Sequence, residues 1–268
     1  MLVDSRALDP TNNRQVALSV LMPCRDEANI VERSITDTVN TLRRWYGGSF
    51  EIILIDDGSI DGTYQRAQAL IDGIPELRVL RISTNGGKGN ALRKAFERTS
   101  GSVVCFLDGD LEIEANHITP YVRLLEAQFA DIVVGSKRHP QSQIDYPWER
   151  RVLSAAYQLF VRALFGLKVR DTQAGIKAFR REVLEQVLPL GLVKRYAFDA
   201  ELLVLAHKLG YRIVEMPIQM KFREKYGSGV SLKAIHQMFL DTLGVFYRLH
   251  VTRYYDATNH AKTLVPDE

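Results

Sequence analysis

The chain has little cysteine, two residues in 268, and neither Cys24 nor Cys105 sits in a Cys-x-x-Cys pair or beside histidine at metal-ligand spacing. That excludes a disulfide framework and a thiolate metal centre, and leaves two reduced thiols near strand ends. No stretch reaches the roughly 18 uninterrupted apolar residues of a spanning helix, so any membrane contact is expected to be peripheral. The first fifteen residues are polar, with Asp9-Pro10-Thr11-Asn12-Asn13 where a secretion signal would be apolar, and none is expected there. An excess of one charge is missing too, since 35 Lys and Arg stand against 32 Asp and Glu, a formal net charge of +3. Nothing in that balance requires nucleic acid, and no nucleic-acid partner is expected, while local basic clusters can still meet phosphates or an anionic surface. No Gly-x-Gly-x-x-Gly follows the first apolar run and no Gly-x-x-x-x-Gly-Lys-[Ser/Thr] occurs, which argues against dinucleotide hydride transfer and a P-loop.

What is present is an alternation. At 46% hydrophobic the chain can bury a full core. Short apolar runs at 16–22, 50–55, 78–82, 103–107, 131–135 and 212–216 read as strands. Helical periods at 30–45, 63–71, 89–99, 116–129, 150–165, 198–209 and 231–250 lie between and after them. This is the pattern of an α/β fold with a mostly parallel sheet. The expected organisation is a polar segment 1–15, an α/β domain 16–230, an amphipathic helix 231–255 and a polar tail 256–268.

In open parallel sheets ligands bind beyond the carboxyl ends of the strands. The polar clusters fall there. Pro23-Cys24-Arg25-Asp26-Glu27 follows the first run, Asp56-Asp57-Gly58-Ser59 the second, Asn85-Gly86-Gly87-Lys88-Gly89-Asn90 the third, and Asp108-Gly109-Asp110 the fourth. Two carboxylates flanking a glycine at a strand tip can share a hard divalent cation whose other positions go to water and diphosphate oxygens. The same triplet also arises as a solvated turn. Asp57 is read either as an acceptor for a ribose hydroxyl or base N–H, or as part of a helix-capping turn with Asp61. Lys88 among three glycines is read as a diphosphate contact or as a solvated turn residue.

Together these motifs resemble the GT-A glycosyltransferases of family 2, and within it the dolichyl-phosphate mannose and glucose synthases. The resemblance runs from about residue 18 to 231. It implies an α/β, GT-A (Rossmann-like) fold with a mostly parallel sheet, flanking helices and C-terminal amphipathic helices. It makes Pro23, Arg25, Glu27, Ile55 and Asp57 face the nucleoside, with Lys88 and Gly109 completing the nucleotide-sugar site. Asp108 and Asp110 become ligands of Mg²⁺ or Mn²⁺ and of the diphosphate, with Glu112 as a further metal-proximal residue. Gly135-Ser136-Lys137 matches a Gly-Ser/Thr-Arg element, Arg223 matches a late phosphate-binding arginine, and 171–177 with 198–203 looks most like the glucose-transferring branch. Departures are Arg25-Asp26 for Tyr-Asn, Lys137 for Arg, and a displaced cation after Gly227.

The implied activity is inverting transfer of a hexose from UDP-glucose or GDP-mannose to polyprenyl phosphate. A phosphate monoester is already anionic at neutral pH and needs cations to hold it more than a base to deprotonate it. Lys137, Arg138, Arg150, Arg151 and Arg223 are the candidates. The helices at 150–165 and 231–250 carry apolar stripes beside basic residues, which suit either a membrane interface or the protein's own core. The expected location is peripheral, on the cytosolic face of a membrane surface, with a membrane-anchoring subunit as a possible partner. Two other readings stay open. A transferase acting on a soluble hydroxyl would need a base, Asp199 or Glu201; a nucleotide-sugar binder with a decayed acceptor site would need none.

Overall fold

The computed structural model describes residues 2–4, 16–145, 148–221 and 232–256. Among them the chain runs β1 (Leu2–Asp4), β2 (Leu18–Cys24), α1 (Val31–Trp45), β3 (Phe50–Asp57), α2 (Thr63–Gln68), β4 (Leu77–Ile82), α3 (Lys88–Phe96) and β5 (Val103–Leu107). It continues with α4 (Ile118–Glu126), β6 (Ile132–Ser136), β7 (Gln143–Asp145), α5 (Trp148–Phe165), β8 (Ile176–Arg180), α6 (Arg181–Val187) and α7 (Phe198–Lys208). The last elements are β9 (Ile213–Pro217), β10 (Gln219–Lys221), α8 (Leu232–Phe246) and a π turn at Tyr247–Val251.

Among the described residues eight strands form one sheet in the order β1-β4-β3-β2-β5-β8-β6-β9. Strands β4, β3, β2 and β5 are parallel neighbours, as are β6 and β9. β8 is inserted antiparallel between β5 and β6, and β1 caps the other edge antiparallel to β4. Strands covered on both faces are apolar at most positions, and their apolar residues divide by parity. Val20, Ile52, Leu54 and Cys105 face α1 and α4, while Leu21, Ile53, Phe106 and Phe179 face α3, α6 and α7. Each such Leu or Ile contributes about 1.5–3 kcal/mol of burial.

The five early strands lie where the apolar runs place them, with β2 and β3 extending two residues farther at their carboxyl ends. β8 and α6 are additions: the run Ile176-Lys177-Ala178-Phe179-Arg180 is short and broken by a lysine, so it carries no strand signal of its own. Residues 2–4, read as part of a polar segment, pair with β4 as Leu2↔Ile82, Val3↔Arg81 and Asp4↔Leu80.

Candidate active site

The carboxyl ends of β2, β3 and β5 and the loop after β4 open on one cavity of about 440 Å³. Pro23, Arg25, Glu27, Asp57, Lys88, Asp108, Gly109 and Asp110 all line it, and the sequence alone brings these eight to one place. Cys24, Gln173, Arg195, Tyr196 and Asp199 complete much of the wall. Two turns on its rim hold non-glycine residues at positive φ, Asp26 at 51° and Leu111 at 59°. Such backbone is strained and persists where the surroundings enforce it.

Asp108 directly follows β5, and its N–H donates to the Gly175 carbonyl at 2.9 Å. Its Oδ1 lies 2.7 Å from Lys88 Nζ, so the glycine-loop lysine is tied to the acidic strand tip. Burial disfavours the Lys88 charge, but the Asp108, Asp199 and Asp110 carboxylates outweigh it and the group titrates above an ordinary lysine. Asp57 accepts from Gly86 N at 2.8 Å and Gly87 N at 2.7 Å. Both its oxygens therefore hold the loop that presents Lys88, a role that register along β3 and β4 creates and that sequence spacing does not show. Gly87, at φ 90°, is required there, since a β-carbon would come 2.6 Å from the Lys194 carbonyl.

Behind Lys88 lies a pair that the sequence reading missed. Asp199, in the first turn of α7, meets Lys177 Nζ at 2.7 Å through Oδ1 and Lys88 Nζ at 3.7 Å through Oδ2. Burial pushes the Asp199 carboxyl up, and the Lys177 and Lys88 ammoniums reverse this to hold it below the usual carboxylate range. The lysine inside the short run Ile176–Arg180 marks Lys177 alone and does not point to Asp199. Glu201 is elsewhere: 1% exposed, it accepts from Val193 N at 2.8 Å and from the Tyr255 hydroxyl at 2.7 Å, with Arg93 and Arg248 alongside. It fastens Tyr255 to α7 and does not line the cavity.

Two expected members are also displaced. Ile55 is fully buried in the core, because β3 runs on to Asp57 and leaves Ile55 one pleat inside. Glu112 is off the cavity wall, because the left-handed Leu111 turns the chain and the Glu112 carbonyl accepts from Lys221 N at 3.0 Å.

Lys137 and Arg151 line a second cavity of about 420 Å³, with Arg138, Ser142 and Ser154. Lys137 donates to Asp171 from both its backbone N, at 2.9 Å, and its ammonium, at 3.2 Å. Arg138 reaches Ser154 Oγ at 3.1 Å and Arg151 reaches the Ile144 carbonyl at 2.9 Å. The segment 171–175 connects the two cavities without lining the basic one itself. Asp171 underlies the basic one, Gln173 lines the acidic one, and Gly175 abuts Asp108. Arg223 and the Arg150 side chain lie outside the described residues.

Residues 19–188 match glycosyl transferase family 2. The chain is a family 2 glycosyltransferase. It is 32% identical over 204 residues to Glycosyltransferase AglD of Haloferax volcanii, covering 76% of this chain but only 33% of that longer protein. It is 30% identical over 222 residues to a dolichyl-phosphate beta-glucosyltransferase of Dictyostelium discoideum, covering 78% of this chain and 67% of that one. Other relatives are named dolichyl-phosphate beta-glucosyltransferase and polyprenol monophosphomannose synthase. Among solved structures, glucosyl-3-phosphoglycerate synthase of Mycobacterium tuberculosis, in complex with Mn²⁺, UDP and glucosyl-3-phosphoglycerate, superposes with a TM-score of 0.63. At 22% identity, over 87% of this chain and 79% of that one, it shows that the transferase has the GT-A fold.

The transferase's strand tip also fits a divalent cation of the kind this fold implies. Among the described residues no three His, Cys, Asp or Glu side chains cluster as a self-sufficient metal site. Asp108 and Asp110 offer hard oxygen donors on one cavity wall, and a cation needing six such donors would take the rest from water and a diphosphate.

Proposed function

We propose that this transferase moves a hexose, with inversion, from a nucleotide-sugar, UDP-glucose or GDP-mannose, to a polyprenyl phosphate, using Mg²⁺ or Mn²⁺. The observation that carries this is a pair of cavities linked through 171–175: Gln173 lines the one that ends in Asp108 and Asp110, and Asp171 bonds Lys137, which lines the other with Arg138 and Arg151. The acidic cavity suits a metal-bound diphosphate, and the basic one suits an incoming phosphate monoester. A bound divalent cation supplies charge stabilisation for the departing diphosphate. Lys88 adds an ammonium at the same tip, and Asp57 fixes the loop that delivers it. Of the two carboxylates considered as an acceptor base, Glu201 is outside the cavity and Asp199 is held in its charged form by two lysines, which makes it a weak base. An acceptor that arrives as an anion does not need one.

Names of relatives support a lipid phosphate acceptor and a β-linked product. The helix surfaces support a seat on a membrane. No helix among the described residues is long and apolar enough to cross one. Trp148, Val152 and Leu159 are exposed apolar groups on α5, which also carries Arg151 and Arg162, and Leu240, Leu243, Tyr247 and Val251 are exposed on α8 and its π turn. Such a surface suits the headgroup boundary of a cytosolic leaflet.

The test is transfer of radiolabelled hexose from UDP-glucose and, separately, GDP-mannose into organic-extractable polyprenyl phosphate, with Mn²⁺ and with chelator. Label in the lipid that disappears with chelator is the expected outcome. Metal-dependent release of nucleoside diphosphate without lipid label would move the acceptor to a soluble hydroxyl.

A further inference from the structure

Lys177 is a lysine inside the core. It is the second residue of β8, opposite Phe106 in the ladder with β5, and is 1% exposed. Its neighbours Ile176 and Ala178 pack on the α1 and α4 side, so strand alternation sends Lys177 with Phe179 toward α7. An ammonium buried there is tolerated only when paired and hydrogen-bonded. Its Nζ meets Asp199 Oδ1 at 2.7 Å and donates to the Ala174 carbonyl at 2.7 Å.

From Lys177 outward, cation and anion alternate to the cavity: Lys177, Asp199, Lys88, Asp108. The contacts are unequal. Lys88 lies 2.7 Å from Asp108 but 3.7 Å from Asp199, whose nearer partner is Lys177. Each carboxylate thus has one close ammonium. Without Lys177, Asp199 would remain 6% exposed with Lys88 as its cation, and the least costly way to pair it is to draw Lys88 inward, off the strand tip.

Resting on the donor reading of that cavity, we propose that Lys177 is a positioning residue: by pairing Asp199 from the core side, it leaves the Lys88 ammonium at Asp108, where a nucleotide-sugar diphosphate meets it. Lys177 touches neither donor nor acceptor. It acts through Asp199 on the place that Lys88 takes.

The test is calorimetric binding of UDP and GDP in Mn²⁺. Lys177→Met weakens binding of whichever nucleotide the wild type prefers by about tenfold. Lys177→Met/Asp199→Asn, which removes one charge of each sign, returns it to within about threefold of wild type, because Lys88 no longer has a second carboxylate to satisfy. Lys177→Arg, which keeps the charge, stays close to wild type. A purely structural role for Lys177 predicts a double variant as impaired as the single. Wild-type affinity in Lys177→Met, or no recovery in the double variant, overturns the proposal. If Lys177→Met does not fold, the double variant decides alone: affinity within about threefold supports the role, and a loss of about tenfold or more rejects it. Should the wild type bind neither nucleotide, the donor reading fails by itself, and a nucleotide-free crystal structure of Lys177→Met decides the positioning. Lys88 bonded to Asp199 and parted from Asp108 is expected there; a retained Lys88–Asp108 contact overturns it.

Discussion

Gly175 lies so close to Asp108 that a β-carbon built on it would come 2.6 Å from Asp108 Oδ2 and 3.2 Å from its Cβ. The two residues also share a main-chain hydrogen bond of 2.9 Å, so the tip of β5 is fixed by the backbone of Gly175 and given its space by the missing side chain. Asp is too short to bend away at its far end; it must rotate. Gly175→Ala is therefore expected to turn the Asp108 carboxylate and lower kcat at least about tenfold, since small misplacements of reacting groups carry large rate costs. Overpacking adds about 1–3 kcal/mol of destabilisation. Steady-state kinetics beside a thermal melt separate the two, and an unchanged kcat would remove Asp108 from the reaction.

Asp110 allows a cleaner separation of charge from fold. Its Oδ1 accepts from Glu112 N at 3.0 Å, a bond that an amide oxygen can also accept. Asp110→Asn should thus keep the turn and the melting temperature while removing one anionic donor from the strand tip. Turnover is expected to fall about a hundredfold, with a higher Mn²⁺ concentration needed for half-saturation. Asp110→Ala should lose turnover as well, plus about 1 kcal/mol of stability from the lost hydrogen bond. Full activity in either variant rejects this metal position.

These two residues, with Lys88, were legible because an apolar run followed at once by polar chemistry marks a strand end, and strand ends in a parallel sheet converge. Asp57 lies on the cavity wall, and its hydrogen bonds were not foreseen, because they depend on β3 and β4 lying side by side in a particular register. Ile55 was assigned to the nucleoside side by the resemblance alone, and the structure buries its side chain in the core. Glu112 was assigned near the metal by the resemblance alone, and the left-handed Leu111 that turns the chain there has no sequence signature. Lys177 and Asp199 were invisible as a pair: an inserted antiparallel strand brings them together, and no local pattern encodes that insertion.

The exposed apolar residues of α5 make a prediction independent of the chemistry. Trp148 and Leu159 are 70% and 69% exposed, so replacing them removes little from the core. Trp148→Asp/Leu159→Asp should lower co-sedimentation with anionic phospholipid vesicles about tenfold, through lost apolar insertion and added repulsion. Turnover on a short, water-soluble polyprenyl phosphate should stay within about twofold of wild type, because neither side chain lines either cavity. Equal vesicle binding by wild type and variant would assign this face to something other than a membrane.

Asp171 sets a pH dependence of stability whose sign follows from its surroundings. It is 1% exposed, and its carboxylate accepts from the Lys137 backbone N and ammonium and from Gln173 N at 3.0 Å. Burial pushes its carboxyl up, and the Lys137 charge with these hydrogen bonds more than reverses that, leaving it below the usual carboxylate range. A carboxyl depressed in the folded state stabilises the fold fully above its unfolded value, near pH 4. That contribution is lost as pH falls through the lower folded value, where both states carry the proton. Asp171→Asn should accordingly cost about 2–3 kcal/mol at pH 7, with Lys137 left unpaired at a mostly buried site. The deficit should hold steady from pH 7 to about 5 and shrink as pH falls below 4. Calorimetric melts of wild type and variant across that range measure it directly. A gap that widens toward low pH would mean that Asp171 is protonated in the folded protein and that Lys137 has a different counter-ion, which would return its charge to the basic cavity.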